Sequence, residues 1–308
     1  MRIVIALGGN AILQRGQPLE EAIQKQNIDI AAKAIAEVAR KHQVILTHGN
    51  GPQVGLLALQ NDAYKEVSPY SLDVLGAETE GMIGYLFEQA LRNILPNRQV
   101  ITLLTQTIVN EKDPAFQAPS KFVGPVYDKQ QADKLTKEKQ WVMKPDGKFF
   151  RRVVPSPMPE AILELPVIKH ITQDHNIIVI CTGGGGIPVV QNQDGIKGID
   201  AVVDKDRASN VLAQGLEADG LVMLTDVDAV ETHFGEADSQ QIKTASPEML
   251  DDFIFAKGSM APKVESACEF VKAGGKFAGI GSLFDAIDII DGKKGTTVTK
   301  NCEQISFY

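Results

Sequence analysis

The 308-residue sequence has few cysteines and lacks any long apolar run. Its three cysteines, Cys181, Cys268 and Cys302, are odd in number and show no CxxC spacing, which excludes a disulfide scaffold and the common zinc patterns. The longest all-apolar runs hold about five residues, as in Ile177–Cys181, whereas a membrane span needs roughly 20. Because the N-terminal apolar stretch is also too brief for a secretion signal, we expect a cytoplasmic protein with no membrane partner.

The sequence also lacks an excess of basic charge. Its 31 basic and 39 acidic side chains leave a formal net charge of −8, which argues against DNA or RNA as the main partner because such binding depends on clustered Lys and Arg. Binding of small anionic ligands is not excluded, since a few cations inside a cleft can hold them. With 44% hydrophobic and 23% charged residues, the composition is that of an ordinary globular protein.

Short β-branched or apolar runs alternate with long amphipathic stretches along the chain. Strands are predicted at Arg2–Leu7, Gln43–Thr47, Val100–Thr105, Ile177–Cys181, Leu221–Leu224 and Phe277–Ile280. Helices are predicted at Glu20–Lys41, Gly55–Tyr64, Ser71–Asn93, Lys205–Gly215, Pro247–Ala256 and Lys263–Ala273. Strands separated by helices indicate βαβ units, so we predict an α/β fold: a three-layer αβα sandwich with a mainly parallel central sheet.

One stretch breaks this alternation. Pro114 to Pro159 holds seven of the 15 prolines, the single tryptophan, Trp141, and a hairpin pattern that ends at Val154. Because proline is excluded from central strands and helix interiors, the segment is predicted to stand outside the main sheet, as an insertion over about residues 112–158. From composition alone, a surface decoration and a functional lid are equally open. The rest of the chain is predicted to form one domain, residues 1–308, with two lobes.

Glycine clusters follow three of the predicted strands, at the place where open α/β sheets bind ligands. They are Gly8-Gly9-Asn10, the run from His48 to Gln53 that contains Gly49-Asn50-Gly51, and the run Gly183 to Gly186 with Gly184 and Gly185 at its centre. Glycine lets backbone N–H groups approach an anion closely. Each cluster alone is also compatible with a tight turn, but the three together favour an anion-binding floor.

The standard phosphate and hydrolase motifs are missing. There is no GxxxxGK[ST], HRD, DFG, GxSxG or HExxH, and the glycine run fails GxGxxG because Pro188 stands in the last position. Lys205 and Lys263 each lie near a predicted helix start, where the helix dipole disfavours a cation unless an anion is present. Each alone is more typical of a solvated surface lysine. His48, beside a glycine turn, is interpreted as structural, and Cys181 as a core residue.

Six segments resemble the amino-acid kinase superfamily and, within it, the carbamate kinase family. They are LGGNA (7–11), HGNGPQVG (48–55), GGGGIPVV (183–190), VVDKDRAS (202–209), LTDVD (224–228) and GSMAPK (258–263). The resemblance runs in order from Arg2 to about Thr297. The acetylglutamate and glutamate kinase relatives carry a lysine just before the first glycines, where this chain has Ala6. In the carbamate kinase family a lysine of the inserted subdomain serves instead, and Lys121 matches it, which favours the lid.

The resemblance implies reversible phosphoryl transfer, ATP + carbamate ⇌ ADP + carbamoyl phosphate, usually run toward ATP in arginine or purine-nitrogen breakdown. It implies a carbamate-binding lobe over residues 1–200, a nucleotide-binding lobe over 201–308, and a homodimer. Mg²⁺ is expected to be held mainly by the nucleotide phosphates, with no protein ligand. The implied catalytic residues are Lys121, Lys205, Asp206 and Lys263. The implied phosphate and substrate contacts are Gly8, Gly9, Asn10, Gly49, Asn50, Gly51, Gly184 and Gly185, and the implied nucleotide contacts are Thr225, Asp226, Val227, Asp228, Ala261 and Pro262.

Three other functions stay open at this point. A sibling kinase that acts on an amino-acid carboxylate or a nucleotide monophosphate is the nearest alternative. A catalytically inactive nucleotide-binding sensor is another, although every mapped lysine is present. A dinucleotide oxidoreductase is the third, and the failed GxGxxG weakens it.

Overall fold

A computed structural model describes residues 1–14, 16–256 and 258–308. Its strands are β1 (Arg2–Leu7), β2 (Gln43–His48), β3 (Gln99–Thr102), β4 (Gln106–Val109), β5 (Lys121–Tyr127), β6 (Val142–Asp146), β7 (Phe149–Val154), β8 (Pro159–Ile162), β9 (Ile177–Ile180), β10 (Ile187–Asn192), β11 (Gly195–Gly198), β12 (Gly220–Thr225), β13 (Val230–Glu231), β14 (Gln241–Ala245), β15 (Phe277–Ser282), β16 (Thr296–Val298) and β17 (Ser306–Phe307). Its helices are α1 (Glu21–Ala39), α2 (Gly51–Ala63), α3 (Leu72–Ile94), α4 (Lys129–Lys139), α5 (Leu165–Ile171), α6 (Lys205–Gly215), α7 (Pro247–Leu250), α8 (Ala261–Lys272) and α9 (Ala286–Ile290).

The strongly apolar strands form the centre of one large sheet with the order β13-β14-β16-β15-β12-β1-β2-β9-β3, to which β17 adds beside β14. The five neighbours from β15 to β9 are joined by parallel pairings. Ile3, Ile5 and Leu7 of β1 pack against α1, α3 and α9, while Val4 and Ala6 pack on the opposite face against α6 and α8. Helices on both faces require strands that are apolar throughout, and the sandwich follows from that pattern.

Several predicted element boundaries need correction. The strand predicted at Val100–Thr105 ends at Thr102, and the chain turns into β4 instead. The helix predicted at Pro247–Ala256 is a single turn, Pro247–Leu250, capped by the Ser246 side chain. The predicted helices Gly55–Tyr64 and Lys263–Ala273 begin earlier, at the first residues of α2 and α8, because Pro52 and Pro262 lie in their first turns.

Two smaller sheets lie outside the large one. The first, with the order β11-β10-β4-β8, is not among the predicted elements. Its strands are short, and β11 is exposed along most of its length. The second has the order β5-β7-β6 and, with α4, forms the proline-rich insertion. We call residues 121–154 of this insertion the lid. The lid stands outside the main sheet, as predicted, and Trp141 stacks against the Arg152 guanidinium, whose carbon lies 4.3 Å from the ring centroid.

Within the described ranges, no helix is long and apolar enough to cross a membrane. Cys181 is 1% exposed at the end of β9 and lies in the core, as predicted.

Candidate active site

Four neighbouring parallel strands of the main sheet end at one edge, and the glycine clusters start there. The strands β12, β1, β2 and β9 lie side by side. Thr225 ends β12, and Gly8, Gly49 and the glycine run follow the ends of β1, β2 and β9. Each predicted cluster is therefore brought to the same edge of the sheet, where open α/β folds bind ligands.

The first two loops touch through their backbones. The Gly8 N–H donates to the carbonyl of Leu224 at the end of β12 (2.8 Å), which ties the first loop to the segment Thr225–Asp228. A Cβ built on Gly49 would lie 3.0 Å from the Gly9 nitrogen, so a side chain there would push the two loops apart. Asn10 donates from its Nδ2 to Asp226 Oδ2 (2.7 Å), which joins a predicted phosphate contact to a predicted nucleotide contact.

The glycine run continues this surface toward α6. Gly184, Gly185 and Gly186 have φ of +66°, +95° and +79°, a left-handed path that residues with a Cβ rarely follow. A Cβ on Gly184 would overlap the Asn50 side-chain amide, and one on Gly185 would overlap the Val203 carbonyl. The run therefore joins the loop before α2 to the residues just before α6.

The Asp206 carboxylate bridges two of the predicted lysines. Its Oδ1 lies 2.6 Å from Lys205 Nζ and its Oδ2 lies 2.9 Å from Lys263 Nζ. The side chains of Lys205, Lys263 and Asp206 are only 10%, 12% and 6% exposed. Lys205 is the first residue of α6 and Lys263 the third of α8, so the N-terminal turns of two helices meet at this carboxylate.

The charges of this group are set by competition between burial and close partners. Burial acts to raise the pKa of Asp206, but the two lysines outweigh it, and the pKa lies below its usual value. Burial and the neighbouring Lys263 lower the pKa of Lys205, although Asp206 opposes them. For Lys263 burial is outweighed by Asp206 and Asp204, so its pKa is raised. The group holds more positive than negative charge in a buried place, which suits an anionic ligand.

Lys121, the first residue of β5, reaches from the lid to the same region. Its Nζ lies 2.5 Å from Asp204 Oδ2, and the two side chains are 30% and 10% exposed. The other oxygen of Asp204 accepts hydrogen bonds from the Asp206 and Arg207 N–H groups and so caps α6. Burial acts to raise the pKa of Asp204, but Lys121 and the two other lysines hold it well below the ordinary value. Lys121 makes its ion pair with Asp204 and not with Asp206.

The predicted nucleotide contacts line the outer rim of this edge. Thr225 ends β12 and is half buried, and after it Asp226 and Asp228 are exposed with the half-buried Val227 between them. Thr225 donates from its Oγ1 to Asp226 Oδ1 (3.1 Å). Ala261 and Pro262 start α8, directly before Lys263. Because Ala261 and Pro262 adjoin Lys263 in the first turn of α8, this part of the rim lies beside the lysines.

His48 is fully buried at the end of β2, which agrees with its structural interpretation. Its ring stacks on Phe87 with centroids 6.3 Å apart. Nδ1 lies 3.1 Å from the Gly49 carbonyl, an acceptor, so this nitrogen carries the proton. Burial lowers the pKa of His48 to about 4, and the ring is neutral near pH 7.

The sequence reasoning missed two residues. The sequence analysis assigns no role to Asp204, although an Asp directly before a helix is a common capping signal. Glu80 in α3 accepts hydrogen bonds from the Gly183 N–H (2.8 Å) and the Thr105 hydroxyl (2.7 Å), and so holds the glycine run from beneath. Burial raises the pKa of Glu80 to about 8. No local signal marks it, because its partners are more than 20 residues away in sequence.

Across the described part of the chain, no cluster of three or more His, Cys, Asp or Glu side chains has the arrangement of a metal site. Asp204 and Asp206 already contact lysines, and Asp226 accepts from Asn10 and Thr225.

Comparisons with known proteins show the family of the chain. The model of the amino acid kinase family matches residues 1–280. A carbamate kinase of Rhizobium meliloti is 50% identical over 312 residues, covering 100% of this chain and 96% of the relative. A carbamate kinase of Haemophilus influenzae is 50% identical and covers 100% of both chains. A solved structure of a carbamate kinase from Giardia lamblia bound to AMP-PNP superimposes with a TM-score of 0.87 at 41% identity, over 97% of this chain and 98% of that one.

Proposed function

The chain belongs to the amino acid kinase family and aligns with carbamate kinases over its full length, and from this premise we propose which residues carry out the reaction. The activity is that of a carbamate kinase, a phosphotransferase that uses ATP or ADP as nucleotide. The observation that carries the residue assignment is the buried Asp206 carboxylate with a lysine on each oxygen, placed beside three glycine loops.

The residue types fit the chemistry of this reaction. A carbamate oxygen is already anionic near neutral pH, so the nucleophile requires no general base, and the neutral, buried His48 is not needed as one. The difficulty lies in holding two anions in line while negative charge spreads over the transferring group. Lys121, Lys205 and Lys263 supply the opposing charge, and one well-placed donor of this kind is typically worth about 3 kcal/mol.

Each lysine now contacts an aspartate, and we propose that the phosphates become additional partners when they bind. Asp206 orients Lys205 and Lys263 by ion pairing and takes no proton, because the lysines keep its pKa low. Lys121 contacts the transferring group from the lid side. Asp204 holds Lys121 before ligand arrives.

The contacts other than the lysines and Asp206 divide between the two substrates. We propose that Gly8, Gly9, Gly49 and Gly51, with Asn10, Asn50, Gly184 and Gly185, hold the carbamate and the transferring group through backbone N–H groups and side-chain amides. Thr225 to Asp228, with Ala261 and Pro262, would face the nucleotide. This division makes residues 1–200 the carbamate-binding lobe and 201–308 the nucleotide-binding lobe.

We propose that Mg²⁺ accompanies the nucleotide. Asp204, Asp206 and Asp226 are engaged by lysines or by hydrogen-bond donors, so nucleotide phosphate oxygens and water suit the ion better than a protein cage built from them. The ion would offset phosphate charge, and the lysines and N–H groups would hold the phosphates in place.

A homodimer is proposed on one exposed apolar surface. β3 is an edge strand of the main sheet, and Met82, Tyr85, Ile101 and Leu104 around it are 37–57% exposed. A second copy would cover this surface. Light scattering on Leu104→Glu and Tyr85→Glu should then report monomers, and unchanged dimers would refute this interface.

All three cysteines are free thiols, which suits the cytoplasmic location that we also propose.

The assignment is tested by measuring ATP formation from ADP and carbamoyl phosphate, and ADP release from ATP with carbamate, acetylglutamate, glutamate or UMP. We expect turnover with the carbamate pair alone. Turnover of acetylglutamate, glutamate or UMP would instead support a sibling kinase. The net direction in the cell, which the resemblance puts toward ATP, stays a prediction.

A further inference from the structure

The helix α2 follows the proposed substrate loop and also contacts the lid. α2 begins at Gly51, directly after Asn50, and four residues later Gly55 meets the lid strand β5. A Cβ built on Gly55 would overlap the backbone of Gly124, so the helix and the strand touch backbone to backbone. The Cβ position of Gly124 itself lies 3.4 Å from the Gly55 Cα. The missing side chain at residue 55 therefore sets how closely the lid approaches α2.

The lid side of this contact is tightly defined. Gly124 has a φ of +72° and lies where the register of β5 against β7 shifts, as in a β-bulge. Its carbonyl accepts a hydrogen bond from Arg151 Nε (2.7 Å), so the bulge is held within the lid. Lys121 lies three residues away on the same strand. A displacement at Gly124 would therefore be passed to Lys121.

The contact continues along the same face of α2. Asp62, two helical turns after Gly55, forms an ion pair with Lys139 of the lid. Val54 packs in one apolar cluster with the lid residues Val123 and Val154. The lid is thus seated on α2 by a backbone contact, an apolar cluster and a salt bridge.

Anion binding at the loop before α2 does not account for Gly55. Gly49 and Gly51 lie in that loop or at the helix start, but Gly55 lies inside the helix, where glycine costs about 1 kcal/mol relative to alanine. Gly76, inside α3, shows the contrast, because a Cβ there would meet no atom within 4 Å. At residue 55 there is a steric reason for glycine, because a side chain there would overlap the lid.

We propose that Gly55 is a positioning residue: by letting β5 lie directly on α2, it places the Lys121 ammonium at the transferring phosphoryl group. The inference rests on the proposed role of Lys121. A side chain at residue 55 would lift β5 and draw Lys121 away, while Asp206 and its two lysines, on α6 and α8, would stay in place.

The test is a double-mutant cycle with Gly55→Ala and Lys121→Ala, and with Gly76→Ala as the matched helical control. We expect Gly55→Ala to lower kcat about tenfold or more and to change the KM for ADP less than threefold, since nucleotide contacts lie on other elements. Gly76→Ala should leave kcat unchanged. In the Lys121→Ala background, Gly55→Ala should cause almost no further loss, which a general structural defect would not produce.

Each contrary result is distinct. If Gly55→Ala keeps kcat within twofold while Lys121→Ala loses over a hundredfold, the inference fails and the role of Lys121 stands. If Lys121→Ala itself stays active, the proposed role fails and the inference falls with it. Fully additive losses also overturn the inference. If Gly55→Ala does not fold, Asp62→Asn takes its place, because it weakens the ion pair that holds the lid on α2 through Lys139. Its loss of kcat should be smaller, and it should likewise disappear in the Lys121→Ala background.

Discussion

Two lysine–aspartate groups lie within one site and differ in how they are held. Lys205 and Lys263 share the Asp206 carboxylate, all three are almost fully buried, and each belongs to a helix packed on the main sheet. Lys121 and Asp204 join the lid to α6, and Lys121 is 30% exposed. A buried charge that loses its partner costs far more than a half-exposed one. The buried group is therefore part of both fold and site. In the lid pair, Asp204 also caps α6, whereas Lys121 serves the site alone.

The largest effect is expected from Asp206→Asn. The two buried ammonium groups would lose their shared countercharge, so the free energy of unfolding should fall by about 3–5 kcal/mol. Activity should fall about 10³-fold, because both lysines lose their orientation. Urea unfolding and ATP formation measure the two effects. The control is Glu265→Gln, which removes the 51% exposed partner of Arg207 and should change stability by less than about 1 kcal/mol. An unchanged urea midpoint for Asp206→Asn would contradict the distinction between the two groups.

Lys121→Ala should separate activity from stability. We expect ATP formation to fall over about a hundredfold, since one transition-state contact is lost. The free energy of unfolding should change by less than about 1 kcal/mol, because Lys205 and Lys263 still act on Asp204. Lys129→Ala, in the lid helix α4 with an exposed Asp133 partner, is the matched control and should keep full activity. A stability loss as large as that of Asp206→Asn would remove the contrast.

Asp204→Asn should have a smaller effect. An asparagine oxygen can still cap α6, so stability should stay within about 0.5 kcal/mol of the wild type. Lys121 loses its charged partner and is held less well, so we expect kcat to fall by about tenfold. Asp204→Ala also removes the cap and should cost about 1 kcal/mol more in stability. If Asp204→Asn is as unstable as Asp204→Ala, the capping role is not separable from the ion pair.

Glu80 tests whether the lysines, and not burial, keep Asp206 ionised. Glu80 is equally buried and makes no ion pair with a lysine of the described residues, and burial raises its pKa from 4.5 to about 8. Between these values the folded protein holds a proton that the unfolded chain has lost, so the free energy of unfolding decreases as pH rises. His48 makes the free energy of unfolding rise with pH, but only below pH 6.5. Its folded pKa is about 4, so in that range the unfolded chain holds a proton on this histidine that the folded protein lacks.

From pH 6.5 to 8, the proton on Glu80 should therefore make the free energy of unfolding of the wild type fall by about 1–2 kcal/mol. In Glu80→Gln this part of the decrease should be absent. Chemical denaturation at a series of pH values measures it. Glu78→Gln, exposed on the same helix, should leave the slope unchanged. Identical slopes for wild type and Glu80→Gln would show that Glu80 is ionised throughout.

Periodicity was sufficient for most of the main sheet and for α6, whose predicted bounds match the structure. It failed where tertiary contacts override local pattern. The strand predicted to Thr105 ends at Thr102, and the Thr105 N–H and hydroxyl donate to Glu80 instead of continuing the ladder. The four-stranded second sheet was missed because its strands are short and partly exposed, so they carry little hydrophobic alternation.

For the site, the motifs predicted which segments meet, and the structure brings them to one edge of the sheet. They did not predict the partners. That Lys121 pairs with Asp204, 83 residues away, and that Glu80 supports Gly183, 103 residues away, depends on how α3, the lid and α6 pack.

The amino-acid sequence by itself determined the family, the layered α/β architecture and the residue types at the site, because hydrophobic period and glycine or lysine placement act over a few neighbouring residues. Only the tertiary structure decided which lysine is buried, which carboxylate each one contacts and how the lid is seated on α2. Burial and charge pairing are properties of segments far apart in the chain, and no local pattern encodes the distance between them.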